Sequence, residues 1–411
     1  MPGHDHPNPP HPPYFPPPVT RYPYTASAHL PEEYEEFRAT ARAFVEREIR
    51  PSATAWEANG IVPRELYAKA GAAGFLGLRF DPRWGGSGMD HRATVVLCEE
   101  LGGCDSIGTA TALMAHAEFS LPLLAEHGSE PLQEQFLEPA VRGESIGAIA
   151  VTEPGTGSDV GTLTTRARRE GDHLVVSGQK TFISNGTQAD FVIVALRTGA
   201  QGPIGISLVL VPTDTPGFSV GRRLDKLGAR ASDTGELYFD DCRVPANHLI
   251  GRAGRGLAYL VPHFAVERLV LSAFATGAMG RLIELGLDYA QARRTFDKPL
   301  SAYQTWRHRF AEAATRLEAS RQLTYHAAYL LDLRDPAAEA TVAMAKLFSA
   351  GALQSVASEM LQIHGGFGQM EESPIPRYYR DAAGFSVGAG TSEIMRETIA
   401  HRLVDTSTSN Q

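Results

Sequence analysis

The chain has 411 residues, of which 43% are hydrophobic and 21% charged, and its formal net charge is −9. This length is too great for one hydrophobic core and predicts two or three domains, while the acidic balance argues against a nucleic-acid partner. The three cysteines lack metal-ligand spacing, and no apolar run approaches the roughly 18 residues of a membrane span, so we expect a cytoplasmic protein with neither a metal site nor a membrane span.

Residues 1–28 are rich in proline and lack apolar periodicity, which predicts a disordered tail whose scattered histidines hold no metal. Structure is expected to begin near Pro31, a good first helical residue that two glutamates follow. Helical patterns then predict an N-terminal α-helical domain over residues 29–145. The patterns cover residues 37–49, 63–73, 93–101, 107–127 and 131–141.

The pattern changes at Ile146, where short β-branched and aromatic runs separated by turn residues predict a middle antiparallel β domain over residues 146–250. The runs cover residues 174–176, 180–183, 191–196, 206–211 and 236–239. Long helical patterns return over residues 257–294, 301–333, 336–364 and 392–404. They predict a C-terminal domain like a four-helix bundle over residues 251–405. The expected fold class is therefore α+β, with helices, a sheet and helices in that order.

A glycine-spaced turn follows the apolar run that ends at Val151. Gly155 and Gly157 remove Cβ atoms and allow a flat or anionic ligand to approach the main chain. Thr152 and Ser158 add short hydroxyl donors. A plain polar loop between strands is the alternative interpretation, and the dinucleotide pattern Gly-x-Gly-x-x-Gly is not present here.

Five stretches carry a family resemblance that covers nearly all of residues 31–404. They are residues 150–160, 180–186, 224–234, 293–296 with Gln304, and 362–366. In this order they resemble the acyl-CoA dehydrogenases, a flavoenzyme family. The resemblance implies the acyl-CoA dehydrogenase fold, bound FAD and a homotetramer in which one subunit completes the flavin site of another.

The resemblance also implies roles for individual residues around the flavin. Val151, Thr152 and Ser184 would donate hydrogen bonds to the ring system, and the side chain of Phe182 would lie along it. Arg293 would supply planar donors to the pyrophosphate. The remaining implied FAD contacts are Ser158, Phe296, Gln304, Gln362, Gly365, Gly366, Thr391 and Glu393.

The catalytic base is the one departure from the common family pattern. Many members carry a glutamate in a C-terminal loop where this chain has Ala389 between two glycines. The isovaleryl-CoA and long-chain types instead place the base on a helix, before an arginine, as Glu267 and Arg268 stand here. Glu267 lies in an apolar helix, where burial is expected to raise its pKa toward that of an α-proton base. A Glu267–Arg268 surface pair is the alternative, but adjacent helix positions do not face each other.

The implied reaction is FAD-dependent α,β-dehydrogenation of an acyl thioester, with Glu267 as base and the Ala389 N–H on the thioester oxygen. The small residues around Ala389 resemble those of isovaleryl-CoA dehydrogenase and favour branched or bulky acyl groups. The acyl carrier is coenzyme A or an acyl carrier protein, and an electron-transfer flavoprotein would remove the electrons. The alternatives are a flavin oxidase or monooxygenase on the same fold, and a thioester-binding protein that has lost its base.

Overall fold

The computed structural model describes residues 33–199 and 202–408, in which two groups of helices flank one β sheet. The predicted tail and Pro31 lie outside these residues. The order of helices, sheet and helices confirms the fold class predicted from the sequence.

The N-terminal helices agree with the sequence pattern except for the short α2, which was not predicted. They are α1 (Glu33–Phe44), α2 (Ala53–Asn59), α3 (Arg64–Ala72), α4 (His91–Gly102), α5 (Ile107–Met114), α6 (Leu121–His127), α7 (Glu130–Leu132) and α8 (Glu138–Val141). Asp90 and Ser106 cap α4 and α5, because each side chain accepts a hydrogen bond from a backbone N–H of the first turn. α2 ends at Gly60, whose φ of 71° suits glycine.

Three π-helical segments interrupt these helices, and each ends two residues before a proline. The segments are Val45–Ile49, Ala115–Ser120 and Gln133–Leu137, and the prolines are Pro51, Pro122 and Pro139. A proline has no N–H to donate, and its ring collides with the carbonyl one turn earlier. The wider π turn accommodates that ring without ending the helix, which is why residues 107–127 remain continuous.

The middle domain is a mixed sheet with the strand order β6-β7-β3-β2-β4-β5-β8, and β1 also pairs with β4. The strands are β1 (Gly147–Ala150), β2 (Arg166–Glu170), β3 (His173–Ser184), β4 (Phe191–Arg197), β5 (Ile206–Pro212), β6 (Phe218–Arg223), β7 (Thr234–Pro245) and β8 (Leu249–Ile250). The pairing is antiparallel except that β1 runs parallel to β4 and β2 meets β4 in parallel at one residue pair. The sequence did not predict β2 or β6. β2 consists mostly of charged residues, and the alternation in β6 stops after Val220, where a glycine and two arginines follow.

The C-terminal helices surround one long central helix. The elements are α9 (Gly256–Ala292), a hairpin of β9 (Arg294–Thr295) and β10 (Lys298–Pro299), α10 (Gln304–Asp332), α11 (Ala338–His364), α12 (Pro374–Gly384) and α13 (Ser392–Thr408). Among the residues that the structure describes, α9 alone is long and apolar enough to cross a membrane by length and composition. Half of its most apolar window is buried inside the protein, where α9 packs against α4, α10 and α11.

The two groups of helices share one hydrophobic core. A single cluster of buried side chains contains Phe44 and Leu97 from the N-terminal helices and Phe274 and Val356 from the C-terminal helices. A buried ionic network also joins the two groups of helices, because Glu99 of α4 accepts hydrogen bonds from residues of α1 and α10. The helical groups therefore form one packed body, beside which the sheet has its own core.

Candidate functional site

A buried ion pair lies on the inner side of the turn after β1 and stabilises it. The Lys180 ammonium donates to the Val151 carbonyl at 2.8 Å and to the Glu153 carboxylate at 2.9 Å. Burial alone would raise the pKa of Glu153, but hydrogen bonds from Thr164 and the charge of Lys180 hold that pKa at about 2. The carboxylate therefore stays ionised, and the turn has a fixed inner side.

The outer side of the same turn is open. No atom lies within 4 Å of where a Cβ would stand on Gly155 or Gly157. The Thr152 carbonyl accepts a hydrogen bond from Thr181 N at 3.0 Å, which places β3 alongside the turn. Within residues 33–199 and 202–408, the hydroxyls of Thr152 and Ser158 have no hydrogen-bond partner. This surface therefore presents unused donors next to an open main chain.

Phe182 stands on a β-bulge next to that turn. The register between β3 and β7 shifts between Lys180 and Ile183, and Phe182 adopts a φ of 61°. A non-glycine residue in this region costs on the order of 1 kcal/mol, so the conformation is imposed by the strands around it. The bulge leaves Phe182 67% exposed while Ile183 stays buried. An exposed aromatic face beside the half-buried Ser184 suits a planar ligand.

The segment of residues 224–234 fixes the end of β3 through Asp233. The backbone N–H of Asn185 donates to the Asp233 carbonyl at 3.1 Å. The Asn185 amide then reaches the N-terminal helices, where it donates to the Ala112 carbonyl at 2.8 Å and accepts from the Tyr67 hydroxyl at 3.0 Å. The strand that carries Phe182 is thus tied to both the sheet and the helices.

Glu267 is a largely buried carboxyl with a raised pKa, as a base for a weakly acidic proton requires. Its side chain is 13% exposed, and burial raises the pKa of its carboxyl to about 8, although the charge of Arg268 opposes that rise. Nε2 of His263 lies 3.5 Å from the carboxylate and 2.7 Å from the Phe119 carbonyl. Burial lowers the pKa of His263 to about 4, so the ring is neutral and gives its proton to the nearer oxygen. The contact with Glu267 is therefore no ion pair.

The raised pKa of Glu267 makes the free energy of unfolding depend on pH. Between pH 4.5 and 8 the unfolded chain has lost this proton while the folded chain keeps it, so stability falls as pH rises. We expect Glu267→Gln to remove this loss and to be the more stable protein at pH 9, by up to roughly 5 kcal/mol, with little difference at pH 5. Thermal unfolding at both pH values measures the effect. Glu126→Gln, at an exposed position, is the control, and an equal gain at pH 5 would contradict the assignment.

Ala389 lies in a loop between α12 and α13 that approaches Glu267 through Arg268. Nε of Arg268 donates to the Ala389 carbonyl at 3.2 Å. Ala389 adopts a φ of 52°, and within the described residues its N–H has no acceptor. Thr391 precedes α13, and its hydroxyl accepts a hydrogen bond from the backbone N–H of Ile394 in the first turn. Glu393 is exposed on the first turn of that helix.

The other predicted FAD contacts gather at the far end of α9. Arg293 ends that helix, and Phe296 stands 91% exposed in the hairpin that follows. The Tyr289 ring stacks on His364 at 4.5 Å, which brings the end of α11 to the same place. Gln304, Gln362, Gly365 and Gly366 are exposed there, and a groove of about 760 Å³ between α10 and α11 includes Gln362. Gly365 combines a φ of 57° with a ψ of −134°, a backbone conformation that favours glycine.

The structure thus divides the predicted residues into two places. Val151 and Phe264 pack against the same buried cluster, which brings the start of α9, one turn before Glu267, toward the turn after β1. Arg293 follows Glu267 by about 26 residues, which is about 39 Å of helix. The predicted pyrophosphate contact therefore lies far from the predicted base within one chain.

Four further residues shape the site and were not given roles from the sequence. Glu153, Lys180 and Lys346 are buried charged residues, and His263 is a buried ring beside Glu267. Of the three charged residues, only Lys346 stands within an apolar run, Ala343 to Phe348, so it alone of them offers a signal in the sequence, because a lysine is seldom buried without a partner.

Models of the acyl-CoA dehydrogenase N-terminal, middle and C-terminal domains match residues 31–144, 148–242 and 254–404. The mitochondrial long-chain specific acyl-CoA dehydrogenase of Mus musculus is 38% identical over 383 residues, which are 91% of this chain and 87% of that protein. A probable acyl CoA dehydrogenase from Mycobacterium abscessus superposes with a TM-score of 0.89 at 41% identity, over 92% of this chain and all of that chain. The FAD complex of PigA superposes at 0.87 with 30% identity, over 91% and 98% of the two chains. The chain therefore belongs to the acyl-CoA dehydrogenase family, whose members are flavoprotein oxidoreductases.

Proposed function

We propose that the protein catalyses FAD-dependent α,β-dehydrogenation of an acyl thioester. One observation carries the assignment of the base: the Glu267 side chain is only 13% exposed, and burial raises the pKa of its carboxyl to about 8. A carboxylate with a pKa near the working pH is well matched to taking a weakly acidic proton.

The residues after β1 and on β3 fit an isoalloxazine ring. Phe182 offers an exposed aromatic face, and the hydroxyls of Thr152 and Ser184 are unused within the described residues. The open positions of Gly155 and Gly157 leave the main chain accessible. When bound, FAD would supply a hydride acceptor for the β-hydrogen of the substrate.

The side chain of Glu267 would remove the α-proton, and the loop at Ala389 would bind the thioester oxygen. The Glu267 carboxylate takes the α-proton, and the C–H electron pair becomes the new α,β double bond as the β-hydride leaves. Negative charge collects on the thioester oxygen during this step, and the Ala389 N–H is the donor proposed for that oxygen. The glycines on either side of Ala389 add no bulk to the loop. This favours a branched or bulky acyl group.

We also propose an acyl carrier, an electron acceptor and an oligomeric state for the protein. The thioester is carried by coenzyme A or an acyl carrier protein, and an electron-transfer flavoprotein reoxidises the enzyme. Arg293 and Glu267 are separated by about 39 Å along the axis of α9. A homotetramer would bring the Arg293 end of one chain to the flavin site of another.

Arg293→Ala is expected to lose FAD more readily than the parent, because the guanidinium would pair with the pyrophosphate. The measurement is the ratio of flavin to protein absorbance after gel filtration at increasing dilution. Arg252→Ala, at another exposed arginine before α9, is the control. An isolated monomer with full FAD occupancy would contradict a role for Arg293 across subunits.

A panel of acyl-CoA and acyl-carrier-protein thioesters, scored by anaerobic bleaching of the flavin, tests the proposed function and ranks the acyl groups. Bleaching by branched chains is the expected result. Rapid reoxidation of the reduced protein by air would instead favour an oxidase or monooxygenase. Binding of thioesters without any bleaching would favour a protein that has lost its activity.

A further inference from the structure

The loop that carries Ala389 is held in an unusual backbone conformation. Ala389 has a φ of 52° and Gly390 a φ of 97°, so two successive residues lie in the left-handed region. Alanine has a Cβ, so adopting this conformation costs on the order of 1 kcal/mol of conformational energy. The conformation therefore depends on contacts that the rest of the chain makes with this loop.

Two cations from two helices make those contacts. Arg268 of α9 donates to the Ala389 carbonyl at 3.2 Å, and the Lys346 ammonium of α11 donates to the Gly390 carbonyl at 2.5 Å. Lys346 is 1% exposed. Within the described residues, no carboxylate lies within 4.0 Å of its ammonium. A lysine so deeply buried without an ion-pair partner is rare, and its one observed hydrogen bond goes to this loop.

Holding these carbonyls also fixes the N–H groups of the loop. The carbonyl and N–H of a trans peptide point in opposite directions. When the carbonyls of Ala389 and Gly390 point to Arg268 and Lys346, the N–H groups of Gly390 and Thr391 point away from them. The fixed φ of Ala389 then sets the direction of its own N–H, which has no acceptor among the described residues.

We propose that Lys346 is a positioning residue for the thioester: its ammonium holds the Gly390 carbonyl and thereby fixes the Ala389 N–H on the thioester oxygen. This role rests on the proposed function. It assigns no chemical step to Lys346, which reaches the substrate only through the loop.

The charge of Lys346 gives the role a dependence on pH. The groups that act on its ammonium are Arg268 of α9 and Glu393 of α13. Burial, together with the charge of the nearby Arg268, lowers the pKa of Lys346 to about 8, while the charge of Glu393 opposes this shift. The ammonium is therefore present below pH 8 and lost above it. Turnover is expected to decline on the alkaline side for this reason.

The test compares Lys346→Met with Lys346→Arg in the FAD-loaded protein, using the best thioester of the panel. We expect Lys346→Met to lower kcat by about 10- to 100-fold, in line with the loss of one donor that orients an oxyanion site. Lys346→Arg should retain kcat within about threefold and move the alkaline decline upward by a pH unit or more, because a guanidinium stays charged. Lys69→Met, at an exposed lysine, is the control.

Binding separates this inference from the proposed function. Pivaloyl-CoA has no α-hydrogen, so it cannot be oxidised, and its binding is read from the shift of the flavin spectrum. A Lys346→Met protein that binds FAD normally but shifts its spectrum less with pivaloyl-CoA supports the role, even if no thioester is oxidised. The inference is overturned if Lys346→Met keeps parental kcat and spectral shift. It is also overturned if the alkaline decline is the same in Lys346→Arg. Should Lys346→Met fail to fold, the arginine variant alone decides.

Discussion

Glu267→Gln is expected to lower turnover of the best thioester by about 10²- to 10⁴-fold, the usual contribution of a general base. Glutamine keeps the shape of the side chain but has no carboxylate to accept the α-proton. The neutral amide suits the buried position, so the fold and FAD content should remain parental. The measurement is the single-turnover rate of flavin bleaching without oxygen, together with the spectral shift on thioester binding.

Two results decide whether Glu267 is the base. Binding should survive in Glu267→Gln, visible as a perturbed flavin spectrum without bleaching. Adding Ala389→Glu to that variant is expected to restore part of the activity, because relatives carry their carboxylate at that position. Bleaching of Glu267→Gln at the parental rate would place the base elsewhere and refute the mechanism.

Glu99→Gln is expected to lower the free energy of unfolding by up to about 3 to 5 kcal/mol, the cost of removing one charge from a buried ion pair. Arg38 keeps Glu100 and Arg321 keeps Glu318 as partners, so we expect the lower end of this range. Glu99 accepts hydrogen bonds from Arg38 at 3.0 Å, from Arg321 at 2.9 Å and from the Tyr325 hydroxyl at 2.6 Å. Its side chain and the two guanidinium groups are at most 5% exposed. Urea denaturation at pH 7 measures the loss.

The pH dependence of this second effect distinguishes a charge effect from a packing effect. Burial alone would raise the pKa of Glu99, but Arg321 and Arg38 hold it at about 2. A carboxyl with a depressed pKa stabilises the fold above pH 4.5 and loses that contribution as pH falls toward 2. The difference between parent and variant should therefore shrink in acid. Glu36→Gln, at an exposed position on α1, is the control, and a difference that stays constant down to pH 2 would indicate packing alone.

The long helices and the buried strands could be predicted from the sequence because their apolar periodicity extends over many residues. The strands β2 and β6 could not, since Arg166–Glu170 reads Arg-Ala-Arg-Arg-Glu and β6 is exposed along most of its length. The helix α12 was also missed, although Ser373 and Pro374 mark its start. The three π-helical segments carry a readable signal, a proline two residues after each.

The candidate site could be predicted from the sequence only in part, for a different reason. Its predicted residues came from short motifs. The structure shows that Phe182 is exposed on a β-bulge and that Glu267 is largely buried, and their roles stay predictions. The contacts that hold the loop at Ala389 come from residues 44 and 121 positions away, which no local pattern encodes. Only the fold brings Arg268 and Lys346 to that loop.

The core shared by the two groups of helices has a consequence for how the chain folds during synthesis. The buried face of α4 packs against α9 and α10, which are made more than 150 residues later, and α1 packs on α4. Contacts between such distant segments slow folding, because a long loop must close before they form. While the ribosome synthesises the residues of the sheet, the apolar faces of the first helices have no α9 or α10 to pack against. We therefore expect the emerging chain to expose aggregation-prone apolar surface until the residues of α9 leave the exit tunnel.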